Sequence, residues 1–276
     1  MGVLLGLLSA LCYGVSDFAG GIGGRRSSTG AVALIAQPLG LVAALIALAV
    51  FPGHDPTTAE LGWGALSGVG SGAGTVTLYR GLSVGRMGVV SPLSAVLSAV
   101  LPATAGLVAG ERPPVVVLAG IALAVPAVAL VSWQRDRDKS TSSGIGYGLA
   151  AGAGFALLFI ALDHAGTGAG AWPLVPGQAV AVLVVIPFAL RWSPRPRVWR
   201  AALVPGVVAG ALGGAANLLF LAATGAGELT VVAVLTALYP GITVLLARLV
   251  LGERWQRLQL VGLLAAAIAI TLITVA

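Results

Sequence analysis

Long unbroken runs of hydrophobic residues alternate along the chain with short gaps in which glycine, proline and charged residues cluster. The runs are about 20 residues long, the length that an α-helix needs to cross the hydrocarbon core of a bilayer. Strands of a membrane barrel are excluded, because they are shorter and alternate apolar with polar positions. The pattern predicts an all-α membrane protein with ten transmembrane helices. Their predicted ranges are residues 2–20, 30–50, 61–80, 87–108, 114–132, 144–163, 171–190, 199–222, 229–250 and 256–275.

One strongly polar run, QRDRDKSTSS, separates the fifth segment from the sixth. It predicts a first five-helix half at residues 1–134, a solvent-exposed linker at 135–143 and a second five-helix half at 144–276. Tryptophan supports these boundaries, because its ring prefers the membrane interface. All six tryptophans fall at or beside a predicted helix end: Trp63, Trp133, Trp172, Trp192, Trp199 and Trp255.

Composition excludes a soluble fold and several kinds of site. Charged residues make up 9% of the chain and hydrophobic residues 58%, whereas a soluble domain is about one quarter charged. The net charge of +6 does not indicate nucleic-acid binding, because the basic residues lie in short gaps rather than on one polar face. Cys12 is the single cysteine, which excludes a disulfide or a cysteine metal site within the chain. The first segment lacks the basic start of a signal peptide, so we expect a retained helix.

The second half repeats the first at a distance of 142 positions, residue 252 falling on residue 110. The sequence LVAGER at 107–112 has its counterpart in LVLGER at 249–254. Spaced glycines match as well: Gly64, Gly68 and Gly72 fall on Gly206, Gly210 and Gly214, and Gly2 and Gly6 fall on Gly144 and Gly148. Four-residue spacing places glycines on one helix face, where another backbone can come close. A match of this extent without a net gap indicates duplication.

Five helices per half are an odd number, so the second copy enters the membrane from the opposite side. The duplication therefore predicts two inverted five-helix repeats, related by a pseudo-two-fold axis in the membrane plane. Secondary transporters repeatedly use this plan, with a site near the midplane and one conformation open to each side.

Three sequences carry a resemblance to a known family: SDFAGG (16–21), GVVSPLSAV (88–96) and LTVVAVLTALYPGITVLLARLVLGER (229–254). Through these, and along nearly all of both halves, the chain resembles the EamA-type transporters of the drug/metabolite transporter superfamily. The resemblance implies ten helices and the export or exchange of small molecules, and it leaves the cargo open. Tyr239-Pro240 fits the family pattern, but Leu97-Ser98 stands at its counterpart. We therefore expect any kink in the fourth helix to differ from that in the ninth.

The basic residues are distributed unequally between the two ends of the predicted bundle. The first, third, fifth, seventh and ninth loops hold 14 of the 15 lysines and arginines, and the even loops hold only Arg112. Positively charged loops stay in the cytoplasm. The count predicts a multi-pass protein of the cell membrane with both termini outside, although members of the family are often drawn with their termini inside.

Polar residues inside the predicted helices are the candidates for cargo binding, because they are rare in a membrane. A midplane site at a repeat interface takes residues from both halves. Hydrogen-bonding groups can hold cargo, and tyrosine rings can cover its apolar parts. The predicted substrate-binding residues are Tyr13, Asp17, Gln37, Tyr79, Gln178, Asn217 and Tyr239.

Two of these assignments have structural alternatives. Asp17 is either a cargo contact or proton carrier, or one half of an ion pair with Arg80, Arg25 or Arg26 on the same predicted side. The glutamines Gln37 and Gln178 either line a cavity or bond to neighbouring helices.

Charged residues at the ends of the segments favour a structural interpretation. Asp163 and His164 end the sixth segment, where an interfacial helix end is favoured over a proton relay. The GER sequences at 110–112 and 252–254 are interpreted as charged stops at the membrane surface rather than as catalytic groups.

Enzyme signals are absent from the sequence. It contains neither an H-E-x-x-H sequence nor a G-x-x-x-x-G-K-[ST] loop, so we expect no catalytic residues, no metal and no cofactor. The expected partners are a small-molecule substrate, the lipid bilayer and a coupling proton or ion. The leading interpretation is a secondary transporter that works by alternating access, and the alternative is a membrane-embedded lipid-handling protein or enzyme.

Overall fold

The computed structural model describes residues 1–108, 114–132, 139–166, 168–192, 196–226, 236, 239–253 and 257–274. All regular structure in these ranges is helical, as predicted. The helices are α1 (Gly2–Arg26), α2 (Thr29–Val50), α3 (Thr58–Val84), α4 (Met87–Val108), α5 (Val115–Ser132), α6 (Lys139–Ala165), α7 (Leu174–Trp192), α8 (Pro196–Ala226), α9 (Tyr239–Leu251) and α10 (Arg257–Thr274).

Six of the described helices are long and apolar enough to cross a membrane. They are α1, α2, α4 and α7, together with Gly144–Ala165 of α6 and Arg197–Phe220 of α8. Shorter apolar stretches lie in α5, α9 and α10. This agrees with the predicted class, an all-α membrane protein.

Each predicted segment overlaps one helix, and the differences lie at the ends. The helix α6 begins at Lys139, so the last part of the predicted linker is helical, while residues 133–138 lie outside the described ranges. Helix α3 begins at Thr58 because Thr57 and Glu60 form a capping box. In that box Glu60 accepts a hydrogen bond from the Thr57 N–H at 2.7 Å, which lowers the pKa of the Glu60 carboxyl.

Proline distinguishes the fourth helix from the ninth. Helix α4 continues through Pro92 and Pro102. The described part of the ninth helix, α9, carries Pro240 directly after Tyr239. The remainder of the predicted ninth segment, apart from Thr236, lies outside the described residues.

The spaced glycines mark close helix contacts, as the sequence predicted. On α3, a Cβ at Gly68 would overlap the Gly177 carbonyl of α7, and one at Gly72 would lie 2.8 Å from Val184 Cβ. On α8, a Cβ at Gly210 would lie 2.5 Å from the Ala36 carbonyl of α2. Only glycine lets the backbones approach this closely.

The order of these contacts shows the relative direction of the helices. Along α3, Gly64 meets Pro173, directly before α7, and Gly68 and Gly72 meet Gly177 and Ala181 of α7 in turn, so α3 and α7 are parallel. Along α8, Gly206 and Gly210 meet Val32 and Ala36 of α2 in turn, so α8 and α2 are parallel as well. Exchanging the two halves converts one parallel pair into the other.

The same exchange relates two antiparallel pairs. Helix α3 packs along α6, where Gly70 meets Leu158 and Gly85 meets Gly144. Helix α1 packs along α8 in the corresponding way. These two interfaces bring the halves together along the centre of the bundle and position the polar residues described next.

Candidate functional site

A row of hydroxyl groups on α1 fixes this helix against α8. Ser9 Oγ donates to the Ala216 carbonyl at 2.8 Å, and Ser16 Oγ donates to the Ala209 carbonyl at 2.7 Å. Both serines are buried. Seven residues separate them on α1 and seven residues separate their acceptors on α8, in the opposite direction, so the two helices are antiparallel. The two hydrogen bonds therefore fix the register of α1 against α8 over two helical turns.

Tyr13 lies between the two serines on the same face of α1. Its hydroxyl donates to Asn217 Oδ1 of α8, and Asn217 Nδ2 donates to the Gly213 carbonyl at 3.1 Å. The Tyr13 ring also packs against the Tyr239 ring of α9, with 5.8 Å between the ring centroids. Tyr13 thus joins three helices from both halves of the chain.

Close packing brings α9 onto α1 at this level. A Cβ at Gly14 would lie 2.8 Å from the Tyr239 carbonyl. The Thr243 hydroxyl donates to the Gly14 carbonyl at 3.1 Å. The position of Tyr239 at the start of α9 is therefore fixed by backbone contact.

Asp17 follows Tyr13 by one turn and is 8% exposed. Its Oδ2 atom has no hydrogen-bond partner among the described residues. The described part of the chain also shows no ion pair that includes Asp17. Arg25 contacts Glu253 instead, at 3.4 Å, and Arg80 lies 5.5 Å from the centroid of the Trp192 ring. The ion-pair alternative for Asp17 is therefore not seen for Arg25 or Arg80.

Tyr79 of α3 packs against α1 on the C-terminal side of Asp17. Its ring lies against α1, since a Cβ at Gly20 would be 2.5 Å from Tyr79 Cζ. Tyr79 also lies close to Ser16. Asp17 lies near three of the four tyrosines of the chain: Tyr13, Tyr79 and Tyr239.

We call this group, Tyr13, Asp17, Tyr79, Asn217 and Tyr239, the tyrosine cluster. A family model described as the EamA-like transporter family matches residues 1–133 and 142–275 of the chain. The chain belongs to the EamA-like transporter family. No curated protein is similar enough to the chain to give a match.

Neither Gln37 nor Gln178 of this EamA-like protein makes a described contact with a member of the tyrosine cluster. Gln37 is buried, and its Nε2 donates to Thr75 Oγ1 at 3.2 Å. Thr75 lies one turn from Tyr79 on α3, so Gln37 borders the cluster through α3. Gln178 lies against Gly40 of α2, and its buried Oε1 has no hydrogen-bond partner in the described ranges.

The second GER sequence forms a link between helix ends. Glu253 accepts hydrogen bonds from the N–H groups of Met87 (3.0 Å) and Gly88 (3.1 Å) at the start of α4. Arg25 contacts Glu253 and donates to the Gly85 carbonyl at 2.7 Å. A carboxylate is favourable at a helix N-terminus. The ends of α1, α3 and α9 therefore meet the start of α4 at one end of the bundle, while the first GER sequence lies outside the described residues.

Asp163 and His164 form a helix end at the opposite end of the bundle. His164 Nδ1 lies 2.8 Å from the Ile160 carbonyl, and its ring packs at 4.7 Å from the Trp63 ring. Gly166 N–H donates to the Asp163 carbonyl at 3.0 Å as α6 ends. This arrangement fits an interfacial helix end.

Sequence reasoning did not identify Ser9, Ser16 and Thr243. Serine and threonine are common in membrane helices, and their hydroxyls often bond to carbonyls of the same helix. Here the signal was the spacing, since Ser9, Tyr13 and Ser16 fall on one face of α1. The sequence analysis did not single out this face of α1, because its small residues carry little polarity.

Proposed function

We propose that the chain is a secondary transporter of the cell membrane that exports or exchanges a small organic metabolite by alternating access. The observation that carries this proposal is the tyrosine cluster. Its members come from α1, α3, α8 and α9, which belong to both halves. A site shared between repeats is the arrangement that alternating access requires.

The proposal includes an inverted relation between the halves. It is supported by helix direction: α1 and α8 are antiparallel, while α2 and α8 are parallel. The matching pairs α6 with α3 and α7 with α3 show the same two directions. If α1 and α3 run the same way, α6 runs opposite to α1, so the second half begins from the other side.

The site contains groups for binding cargo and one group for coupling. Asn217 is exposed, and the hydroxyls of Tyr13 and Tyr239 belong to half-buried residues. An exposed amide is costly in hydrocarbon, so its placement favours a water-filled crevice over lipid. Asp17 is the candidate carrier of a coupling proton or ion. Transport then draws on a gradient of cargo or of that ion.

An untargeted comparison of small molecules in cells tests the proposal. Cells that make the protein are compared with cells that lack it and with cells that make Asn217→Ala. A matched control is Thr104→Ala, since Thr104 bonds only to the Leu101 carbonyl of its own helix among the described contacts. We expect specific solutes to leave cells with the unaltered chain and with Thr104→Ala, and to be retained with Asn217→Ala.

Equal small-molecule content in all four cell lines, at matched amounts of protein in the membrane, would contradict the transport function. Conversion of a membrane lipid without net movement of any solute would instead support a lipid-handling enzyme.

A further inference from the structure

The carboxylate of Asp17 is buried without a positive partner in the described part of the chain. An ionised carboxylate in an apolar interior costs free energy unless a cation compensates it. The arginines that the sequence offered as partners make other contacts: Arg25 contacts Glu253, and Arg80 contacts Trp192. The site therefore holds a buried carboxyl group that has no cationic side chain paired with it in the described chain.

The second half of the chain allows Asp17 and its neighbours to be compared with their counterparts in the repeat. The 142-residue shift places Phe155 at the position of Tyr13, Phe159 at that of Asp17 and Leu97 at that of Tyr239. In the second copy, a Cβ at Gly74 would be 2.8 Å from the Phe155 ring and one at Gly152 would be 2.5 Å from Leu97 Cβ. The counterparts of Tyr13, Asp17 and Tyr239 in the second copy are therefore all apolar residues.

The second copy packs without a carboxyl group at the position of Asp17. The equivalent contact between α3 and α6 is also close, and its counterpart of Asp17 is Phe159, which is 50% exposed. A polar group that packing does not need, and that costs free energy to bury, requires a functional reason.

Aromatic rings surround the carboxylate on three helices. Tyr13 and Tyr239 pack ring to ring at 5.8 Å, and the Tyr79 ring lies against α1 at Gly20, one turn from Asp17. Aromatic faces attract cations, and an assembly of such rings is the usual means of recognising ammonium groups. A carboxylate adds a charge-assisted hydrogen bond to an amine that carries a proton.

We propose that the cargo is an organic cation, a small molecule with an ammonium group and no carboxylate, and that Asp17 binds the ammonium group within the tyrosine cluster. This inference rests on the proposed transport function and names its substrate class. An anionic cargo is disfavoured because no arginine or lysine belongs to the cluster. A neutral cargo would leave the coupling proton or ion as the sole compensation for the carboxylate, whereas an organic cation compensates it directly and exchanges with that proton or ion.

A bare metal cation also fits the site less well. The described residues contain no group of three or more His, Cys, Asp or Glu side chains that could hold a metal ion. Tyrosine rings present apolar faces rather than oxygen ligands over most of their area. These features favour a cation with an apolar body, which the rings can cover.

The test uses the purified full chain in proteoliposomes loaded with a small-molecule extract of cells. Mass spectrometry measures the protein-dependent loss of each solute, and the solutes are grouped as cations, neutral molecules, zwitterions and anions. The variants are Asp17→Asn, which removes the charge, and Asp17→Glu, which retains it. Asp163→Asn is the matched control, because Asp163 lies exposed at the end of α6.

With the unaltered chain, we expect organic cations alone to leave the vesicles. Asp17→Asn should reduce this loss of cations at least tenfold. Asp17→Glu and Asp163→Asn should both retain a measurable loss of cations. Loss of neutral, zwitterionic or anionic solutes, or unchanged loss of cations with Asp17→Asn, would overturn the substrate class while leaving the transport function in place. If Asp17→Asn does not yield folded protein, loss of non-cationic solutes through the unaltered chain still decides against the proposal. Loss of no solute at all would contradict the transport function itself.

Discussion

At the scale of single residues, hydroxyl groups form two kinds of hydrogen bond between the helices of this protein. Ser9 and Ser16 are buried and bond to carbonyls of α8, which fixes the helix register. Tyr13 is half-buried and bonds to the side chain of Asn217, which is exposed. The first kind of bond fixes the helices, and the second orients the groups that we propose contact cargo.

Tyr13→Phe should reduce transport while leaving the fold intact. It removes the hydroxyl that orients Asn217 but keeps the ring that packs on Tyr239. Loss of one such bond is worth about 1 kcal/mol, so we expect transport to fall about fivefold. Tyr147→Phe is the control, because Tyr147 is the one tyrosine outside the cluster. Efflux from cells at matched protein abundance measures both, and equal efflux from both variants would remove the Tyr13 hydroxyl from the site.

Gln37→Ala and Gln178→Ala should weaken transport while membrane abundance stays nearly unchanged. Gln37 holds Thr75 one turn from Tyr79, and Gln178 has a buried oxygen free of hydrogen bonds among the described residues. Transport assays of both single variants and the double variant test this. Transport equal to that of the unaltered chain in all three would leave the glutamines as packing residues.

The residues of the site were only partly accessible from the sequence. Rarity in apolar segments identified Asp17 and Asn217 as candidates, and the structure brings both beside Tyr13. The sequence could not show that Gln37 bonds to Thr75 and that Gln178 lies against Gly40, rather than either of them contacting Tyr13 or Asp17. Their placement depends on how far α2 and α7 sit from α1, which is a property of packing rather than of periodicity.

At the scale of helices, glycines determine which helices pack closely, because they have no side chain. The Gly68 backbone contacts the Gly177 carbonyl directly, and Gly210 does the same with Ala36. Without a strong hydrophobic drive between helices in lipid, such close packing is a main source of association. The spacing of glycines predicted these faces, because four-residue repeats lie on one side of a helix.

Gly68→Ala should destabilise the protein, since the new methyl group would overlap a backbone carbonyl that cannot turn aside. Overpacking of this kind costs about 1–3 kcal/mol. Gly62→Ala on the same helix is the control, because a Cβ there has no neighbour within 4 Å. Thermal unfolding in detergent should give a lower Tm for Gly68→Ala and an equal or higher Tm for Gly62→Ala. The reverse order would show that the α3–α7 contact is not close-packed.

Helix ends were predicted less well than helix centres. Hydrophobicity falls off before a helix ends, so α1 extends to Arg26 and α6 starts at Lys139, within the predicted linker. Polar residues can continue a helix beyond the membrane, because water satisfies their side chains. Only a specific device such as the Thr57–Glu60 capping box marks a true end in the sequence.

At the scale of the whole molecule, charge should determine how the bundle sits in the membrane. Of the 15 lysines and arginines, 14 lie in the predicted odd loops, and Arg25 of the first of these loops meets Glu253 of the ninth. Positive loops remain in the cytoplasm, so we expect both termini outside. Alkaline phosphatase fused to the C-terminus should be active, whereas a fluorescent protein at the same point should be dark. A bright fluorescent fusion and an inactive phosphatase would contradict this orientation.

The central claim is that the tyrosine cluster lines a passage that opens to either side of the membrane. Asn217→Cys in a Cys12→Ser background, reconstituted in vesicles of one orientation, permits a direct measurement with a membrane-impermeant maleimide. Added outside or trapped inside, the reagent should label the introduced thiol in both arrangements, because a site shared by two repeats is exposed to each side in turn. Labelling from one side only, or only by a reagent that dissolves in lipid, would contradict the claim.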